Sequence, residues 1–251
     1  MENKERFSNR VEKYVKYRPS YPKEAIDYLY TAVGLRQHSE IADIGAGTGI
    51  FSRLLLERGS RVTAVEPNQA MREAAEKALG GNPNFSAVPE AAEDTRLPDH
   101  SVDFIVCAQA FHWFDHTAAQ VEFRRILKPG GRVILIWNTR VTQGTPFLED
   151  YEQLLIALGT DYAKVNHRNI SREKLVAFFR EDYLQEARFT NRQVFDYDGL
   201  SGRLLSSSYS PIAGHPKYEP MMAALRDLFD RHEQGGVVHF DYETEVYWGE
   251  V

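Results

Sequence analysis

Apolar and polar positions change period in regular blocks along the first half of this chain. Ile41 to Ile44 suits a buried strand and carries one acid, Asp43. Three glycines at alternate positions follow (Gly45, Gly47 and Gly49), then a helix-forming run from Phe51 to Arg58. Arg61–Val65, Asn84–Val88, Val102–Ala108 and Arg132–Trp137 predict four further strands. The spacing predicts helices over 23–33, 69–79 and 117–127, with turns at 80–83 and 128–131. Val102–Ala108 is nearly all apolar, as a strand covered on both faces should be. Strands alternating with helices in this way predict a parallel, doubly wound α/β sheet with right-handed crossovers.

After Trp137 the rhythm changes. Residues 146–158 and 171–180 read as helices, Phe189 to Tyr197 as a strand, and 199–234 as helix or loop. Val237 to Val251 alternates strongly and reads as a terminal strand. The last two strands are expected to pair as an antiparallel edge, making seven strands. Residues 140–185 and 199–234 are expected to be helical cap insertions. The first 22 residues are polar and aromatic. A short helix through about Tyr17 would end at Pro19 and Pro22. Tyrosines at 14, 17 and 21 argue for a packed face, hence a lid segment over 1–22, rather than a frayed tail.

Composition narrows the class of protein. The 251 residues are 43% hydrophobic and 26% charged, an ordinary globular balance that one domain over 1–251 would satisfy. The net charge is −6, and no polybasic run stands out, which argues against nucleic acid or an anionic membrane as partner. Cys107 is the only cysteine and lies within an apolar strand, so no intrachain disulfide forms and a reducing, cytoplasmic setting is expected. The N-terminus lacks an apolar signal core, and no apolar run approaches the roughly 20 residues that span a bilayer. The eight histidines are scattered without metal-ligand spacing, so no metal is expected. No Gly-x-Ser-x-Gly elbow supports a serine hydrolase.

The glycine stretch carries the chemistry. A strand, a glycine turn and a helix place a backbone-lined hollow at a strand's carboxyl end, where open α/β sheets bind nucleotide-like ligands. A dinucleotide fingerprint wants G-x-G-x-x-G, but here the pattern is G-x-G-x-G and the next residue is Ile50. No Gly-Lys-Ser/Thr ending marks a phosphate-gripping loop. Asp43, two residues before the turn, would repel a pyrophosphate and suit an ammonium group. Glu66 ends the second strand, where an acid can accept hydrogen bonds from both hydroxyls of a ribose. A ligand with a ribose and a cationic amine, needing no phosphate site, is implied, and S-adenosylmethionine fits that description.

The segment 41–137 resembles the class I S-adenosylmethionine-dependent methyltransferases. Asp43-Ile-Gly-Ala-Gly-Thr-Gly49 resembles their first motif, and Val65-Glu-Pro-Asn-Gln-Ala-Met71 the second. Ala92-Glu93 with Leu97-Pro98, Ser101 and Asp103 resembles the third, and Leu127-Lys-Pro-Gly-Gly131 the turn before the fifth strand. Tyr17-Arg-Pro-Ser-Tyr-Pro22 together with Ala108-Gln-Ala-Phe-His-Trp-Phe114 resembles the small-molecule branch that includes the trans-aconitate methyltransferase-like proteins. The resemblance implies a Rossmann-like fold with its cofactor-binding core at 41–137. The methionine part of the donor would lie over Gly45, Ala46, Gly47, Thr48 and Gly49, with Asp43 near its amino group. Glu66 would hold the ribose. Pro67, Asn68 and Met71 would lie at the adenine, with Ala92 and Glu93 at its edge and Asp94 as a competing neighbour. Gln109 and Ala110 would face the sulfonium, with Trp113 either a wall against the cation or core. Tyr14, Tyr17 and Arg18 would close the pocket.

Methyl transfer from a sulfonium is an in-line displacement whose main requirement is alignment. A general base is needed only for a protonated acceptor, so a carboxylate needs none. His112 reads either as a base or orienting group, or as a packed loop histidine. Arg140 reads either as a ligand for an acidic substrate or, by default, as a surface arginine; Asn138 precedes it on the ligand side. Asp161, Tyr162, His167, Arg168 and Ser206–Tyr209 are further cap candidates. The acceptor and the oligomeric state stay open. A donor-binding module without turnover and an NAD-dependent oxidoreductase are the competing readings, and Asp43 with the absent third-glycine spacing speaks against the second.

Overall fold

The computed structural model describes residues 15–160, 162, 170–180 and 183–251. Tyr14, Asp161, His167 and Arg168 lie outside the described residues. Seven strands form one sheet: β1 (Glu40–Ile44), β2 (Arg61–Val65), β3 (Phe85–Val88), β4 (Val102–Ala108), β5 (Leu127–Arg140), β6 (Gln185–Phe195) and β7 (Val238–Gly249). Their order is β3-β2-β1-β4-β5-β7-β6. β1 to β5 are parallel, and β7 runs antiparallel to both β5 and β6. The expected five-plus-two doubly wound sheet is therefore present.

The helices are α1 (Lys23–Tyr28), α2 (Ile50–Glu57), α3 (Gln69–Leu79), α4 (His116–Ile126), α5 (Pro146–Leu158), α6 (Arg172–Phe178), α7 (Tyr197–Leu205) and α8 (Tyr218–His232). One face of the sheet packs Ile41, Val106, Ile134 and Val246 against Ile26 and Leu29 of the N-terminal helical segment and Phe51 and Leu55 of α2. The other face packs Ala42, Cys107, Leu135 and Trp137 against Phe123 of α4 and Phe178 of α6. Two-sided cover explains why β1, β4 and β5 read as apolar runs rather than alternating ones. A third cluster joins Tyr151 and Leu155 of α5, Leu200 of α7 and Leu225 of α8 to Phe240 and Tyr242 of β7. Among the described residues, no helix is long and apolar enough to cross a membrane.

Local chemistry moved several boundaries. The predicted helix over 23–33 is α1 followed by a π-helical turn, Leu29–Val33, that ends at Gly34 with φ 103°. β5 begins at Leu127, which pairs with Val102 before the register shifts at Phe104, so the predicted turn 128–131 is a strand irregularity. β5 also continues to Arg140, because β7 pairs with it as far as Tyr242. β6 starts at Gln185 rather than Phe189, following its ladder with β7. It ends early because the Asp196 side chain accepts the Gly199 N–H at 2.7 Å and starts α7.

Gly49 begins α2 with φ 78°, where a Cβ would stand 2.7 Å from Leu79 Cδ1 and 3.2 Å from Ala75 Cβ of α3. Gly49→Ala is therefore expected to cost about 1–3 kcal/mol of stability through strain and overpacking. Urea denaturation measures it, and an unchanged midpoint would refute the close packing of the glycine turn on α3.

Candidate functional site

The sheet order reverses between β1 and β4, so a crevice opens beyond their carboxyl ends. The glycine turn follows β1, and the segment Gln109–Phe114 follows β4. These two turns are in contact: a Cβ on Gly45 would lie 2.6 Å from Ala110 Cβ and 3.3 Å from Phe114 Cζ. Gly45, Gly47 and Gly49 all take positive φ, of 70°, 58° and 78°. Only glycine adopts three such positions in five residues without strain. Around Gly47 the space is open: the nearest atom to an added Cβ is Met71 Sδ at 3.7 Å.

Asp43 sits next to the last residue of β1 and is fully buried. Its Oδ2 accepts the Ser52 hydroxyl at 2.6 Å. Its Oδ1 is buried with no hydrogen-bond partner among the described residues. Burial pushes the carboxyl up to about 7; the Ser52 hydroxyl opposes this and the neighbouring Glu66 charge adds to it. The buried hydroxyl of Thr48 in the same turn is likewise without a partner among the described residues.

Glu66, just past β2, ties the turn to the neighbouring strand. Gly47 N–H donates to its Oε2 and Asn68 N–H to its Oε1, both at 2.8 Å. Burial raises its carboxyl above the usual range, and those two backbone bonds oppose the rise. Each oxygen keeps a lone pair for a further donor. Asn68 caps α3 by accepting Met71 N–H at 3.0 Å, which fixes Met71 beside Gly47. Pro67 lies between the two. Ala92 is buried, and Glu93 Oε1 accepts Asp115 N–H at 2.9 Å, so the predicted adenine-edge loop is pinned to the start of α4.

Gln109 is strained, with φ 58°, and its Nε2 donates to Asn138 O at 3.2 Å. A non-glycine residue in this region signals a position fixed by its surroundings. Ala110 is buried against Gly45. Trp137 Nε1–H points at His112 Nδ1 at 3.5 Å, and the His112 ring tilts on Trp113 at 4.7 Å. His112 thus packs among indoles.

Tyr17 and Arg18 make contacts toward α7 and β6. The Tyr17 ring fills the space a Cβ on Gly202 would need, and Gln193 Nε2 donates to Tyr17 O at 3.3 Å. Arg18 Nη2 donates to Ser206 O at 3.3 Å. Asn138 Nδ2 and Asn191 Nδ2 both donate to Ser20 O, at 3.2 and 2.8 Å, so the N-terminal segment is fastened to the sheet edge.

Arg140 corrects the default reading: it is buried at 8% exposure, not on the surface. It pairs with Glu152 and donates to the Tyr162 hydroxyl at 2.8 Å. Nearby is a second buried arginine, Arg203, which the sequence reading missed, as it missed Ser52. Neither lies in a motif, and nothing in the local pattern marks either as facing inward. Among the described residues, no group of three or more His, Cys, Asp and Glu is placed to hold a metal.

The residues fit a donor with an ammonium and a ribose. Asp43 supplies an unused buried acceptor, Gly47 an open cradle, and Glu66 a carboxylate whose remaining lone pairs suit adjacent hydroxyls.

The sequence profile of a methyltransferase domain family matches residues 42–135. An uncharacterized methyltransferase of Schizosaccharomyces pombe is 33% identical over 254 residues, covering 97% of this chain and 96% of that protein. An uncharacterized methyltransferase of Mycobacterium tuberculosis is 45% identical over 134 residues, covering 53% of this chain and 52% of that relative, about half its length. A solved structure from Anaeromyxobacter dehalogenans superposes with a TM-score of 0.68 at 22% identity, covering 93% of this chain and 98% of that one, a likeness of fold.

Asp43 gives the crevice a pH dependence. An ammonium ligand pairs with the ionised carboxylate, which is the minor form below about pH 7. Affinity for S-adenosylhomocysteine, followed by calorimetry, should rise on the order of tenfold from about pH 5.5 to about pH 7. Asp43→Asn should flatten that rise. A wild-type profile as flat as the variant's would remove Asp43 from the amine site.

Proposed function

Because the chain belongs to the class I S-adenosylmethionine-dependent methyltransferases, we propose that it transfers the donor's methyl group to a small-molecule acceptor, a carboxylate, by in-line displacement. The observation that carries this reading is the pair of buried carboxylates at the glycine turn: Asp43 with a spare oxygen and Glu66 bonded to the turn itself. The donor supplies an activated methyl on sulfur, and the chain's residues bind, align and exclude water.

In this reading Asp43 takes the ammonium and Glu66 the ribose hydroxyls. Gly45, Ala46, Gly47, Thr48 and Gly49 form the floor, and Pro67, Asn68, Met71, Ala92 and Glu93 surround the adenine. Gln109, Ala110 and Trp113 form the wall at the reacting end. Residues 41–137 are the donor-binding core, 1–22 with Tyr14, Tyr17 and Arg18 a lid, and 140–185 with 199–234 the acceptor cap. Alignment of this kind is worth about 7–11 kcal/mol of barrier. A carboxylate acceptor is already ionised at neutral pH and asks for no base. That fits a wall in which His112 Nδ1 faces the Trp137 indole N–H. His112 is then a positioning residue that braces the wall beside Trp113.

Calorimetry with S-adenosylhomocysteine, followed by a labelled-donor screen of metabolite extracts read by mass spectrometry, tests the proposal. Binding with methylation of a small molecule is the expected result. No binding would overturn it, and binding with no acceptor in any extract would favour a module without turnover. Glu66→Ala removes charge-assisted bonds of about 1.5–3 kcal/mol, so donor-product affinity should fall about 10- to 100-fold. Unchanged affinity would refute the ribose assignment. His112→Ala should keep donor-product affinity within about twofold and lower turnover without altering its pH profile. Loss of a titrating limb would make it a base instead.

A further inference from the structure

Above the carboxyl end of β5, the described residues bury more positive than negative charge. Arg203, on α7, is 5% exposed, and no carboxylate among the described residues pairs with it. Its Nε donates to the Tyr242 hydroxyl at 3.0 Å and its Nη1 to Ser207 Oγ at 2.9 Å. Both partners are neutral. Its guanidinium lies 5.6 Å from the centre of the Phe240 ring, and that of Arg140 lies 6.0 Å from the same centre. Two buried cations therefore lie within 6.0 Å of the centre of one phenyl ring, and the carboxylate of Glu152 bonds to Arg140.

A buried charge without a counter-ion is costly, and a buried charged group of this kind is a candidate site for a ligand of opposite charge. The fork of a guanidinium matches an oxyanion, and two forks on one site bind it in a fixed orientation. The surroundings are polar and preorganised. The Tyr242 hydroxyl donates to Gln193 Oε1 at 2.8 Å, and Gln193 holds the backbone of Tyr17. Tyr209 responds to the same field: burial would raise its phenol, but Arg203 and Arg140 bring it below the ordinary value.

The place of this cluster relative to the reacting wall is set by β5. Gln109 bonds to Asn138 O, and Asn138 and Arg140 lie on one face of the strand, two residues or about 7 Å apart. Across the ladder, Tyr242 stands opposite Arg140 and carries Arg203 with it.

We infer that Arg203 and Arg140 form an oxyanion subsite that holds an unreacting anionic group of the acceptor, so that the acceptor carries a fixed carboxylate or phosphate besides the group that is methylated. This rests on the methyltransferase reading and specifies its acceptor. The subsite makes acceptor choice depend on charge at the remote end, and it links binding there to Tyr17 through Tyr242 and Gln193.

The test uses the protein saturated with S-adenosylhomocysteine, titrated in a calorimeter with succinate, inorganic phosphate and neutral succinamide. Succinate or phosphate should bind and succinamide should not, and whichever anion binds identifies the source. Arg203→Gln should weaken that binding at least tenfold with donor-product affinity within twofold. Arg203→Lys, which keeps the charge without the fork, should fall between them and serves if the glutamine variant does not fold. If S-adenosylhomocysteine binds but neither anion does, or if Arg203→Gln binds the anion as the wild type does, the subsite is overturned. If S-adenosylhomocysteine itself does not bind, the failure belongs to the methyltransferase reading.

Discussion

The bond from Gly47 N–H to the Glu66 carboxylate ties the ends of two adjacent strands into one surface. Without it, the glycine turn would be a chain of three permissive residues with no fixed path. With it, the loop leaving β1 and the loop leaving β2 share an acceptor, because Asn68 N–H binds the other oxygen of the same side chain. Asn68 in turn caps α3 and sets Met71 beside Gly47. One buried carboxylate thereby fixes the start of a helix, the path of a turn and the wall of a hollow. Its remaining lone pairs are left for a further donor, so in the proposed reading the group that shapes the site also reads the ligand.

The site is held at a cost that the rest of the sheet offsets. Asp43 is buried with one oxygen unused, and its folded pKa of about 7 lies above the ordinary 3.8. An acid shifted in that direction binds more protons folded than unfolded between those values, so its ionisation withdraws stability as pH rises from about 4 to about 7. A cation seated beside it would reverse that. Gln109 stores strain in its backbone at the facing turn. Two-sided apolar packing of β1 and β4 supplies the rigidity that keeps both features in place, since neither turn can relax without dislodging residues such as Ile44 or Phe111 from the core.

The crevice at the glycine turn was legible in the sequence because its elements are local. Asp43, Gly45, Gly47, Gly49 and Glu66 fall within 24 consecutive residues (43 to 66), and strand–turn–helix periodicity fixes their relative positions. The sheet was legible for the same reason: apolar runs mark parallel strands, and the alternation of Val238, Phe240, Tyr242 and Val246 marks an antiparallel strand with alternate residues buried. The misplaced boundaries were those set by partners distant in sequence. β6 reaches back to Gln185 because its ladder partner Trp248 is there to pair with it, which no reading of residues 185–189 alone reveals. Arg140 was weighed as a surface residue because its cover, Tyr151 and Tyr162, lies on a later helix and beyond.

The acceptor side resists sequence reading for a deeper reason. A glycine motif declares itself because the backbone conformation it needs excludes other residues, whereas an arginine is compatible with almost any surface. What distinguishes Arg203 is only the absence of a paired carboxylate among the described residues once β5, β7 and α7 have come together, and that is a property of three segments separated by dozens of residues. The same segments are where a sheet with a fixed donor floor can vary without disturbing Asp43 or Glu66. The proposed donor-binding chemistry is therefore written into short, constrained stretches near β1 and β2. In the proposed reading the choice of acceptor is distributed across side chains such as Arg140, Arg203 and Tyr242, whose meaning arises from burial and charge balance in the folded chain.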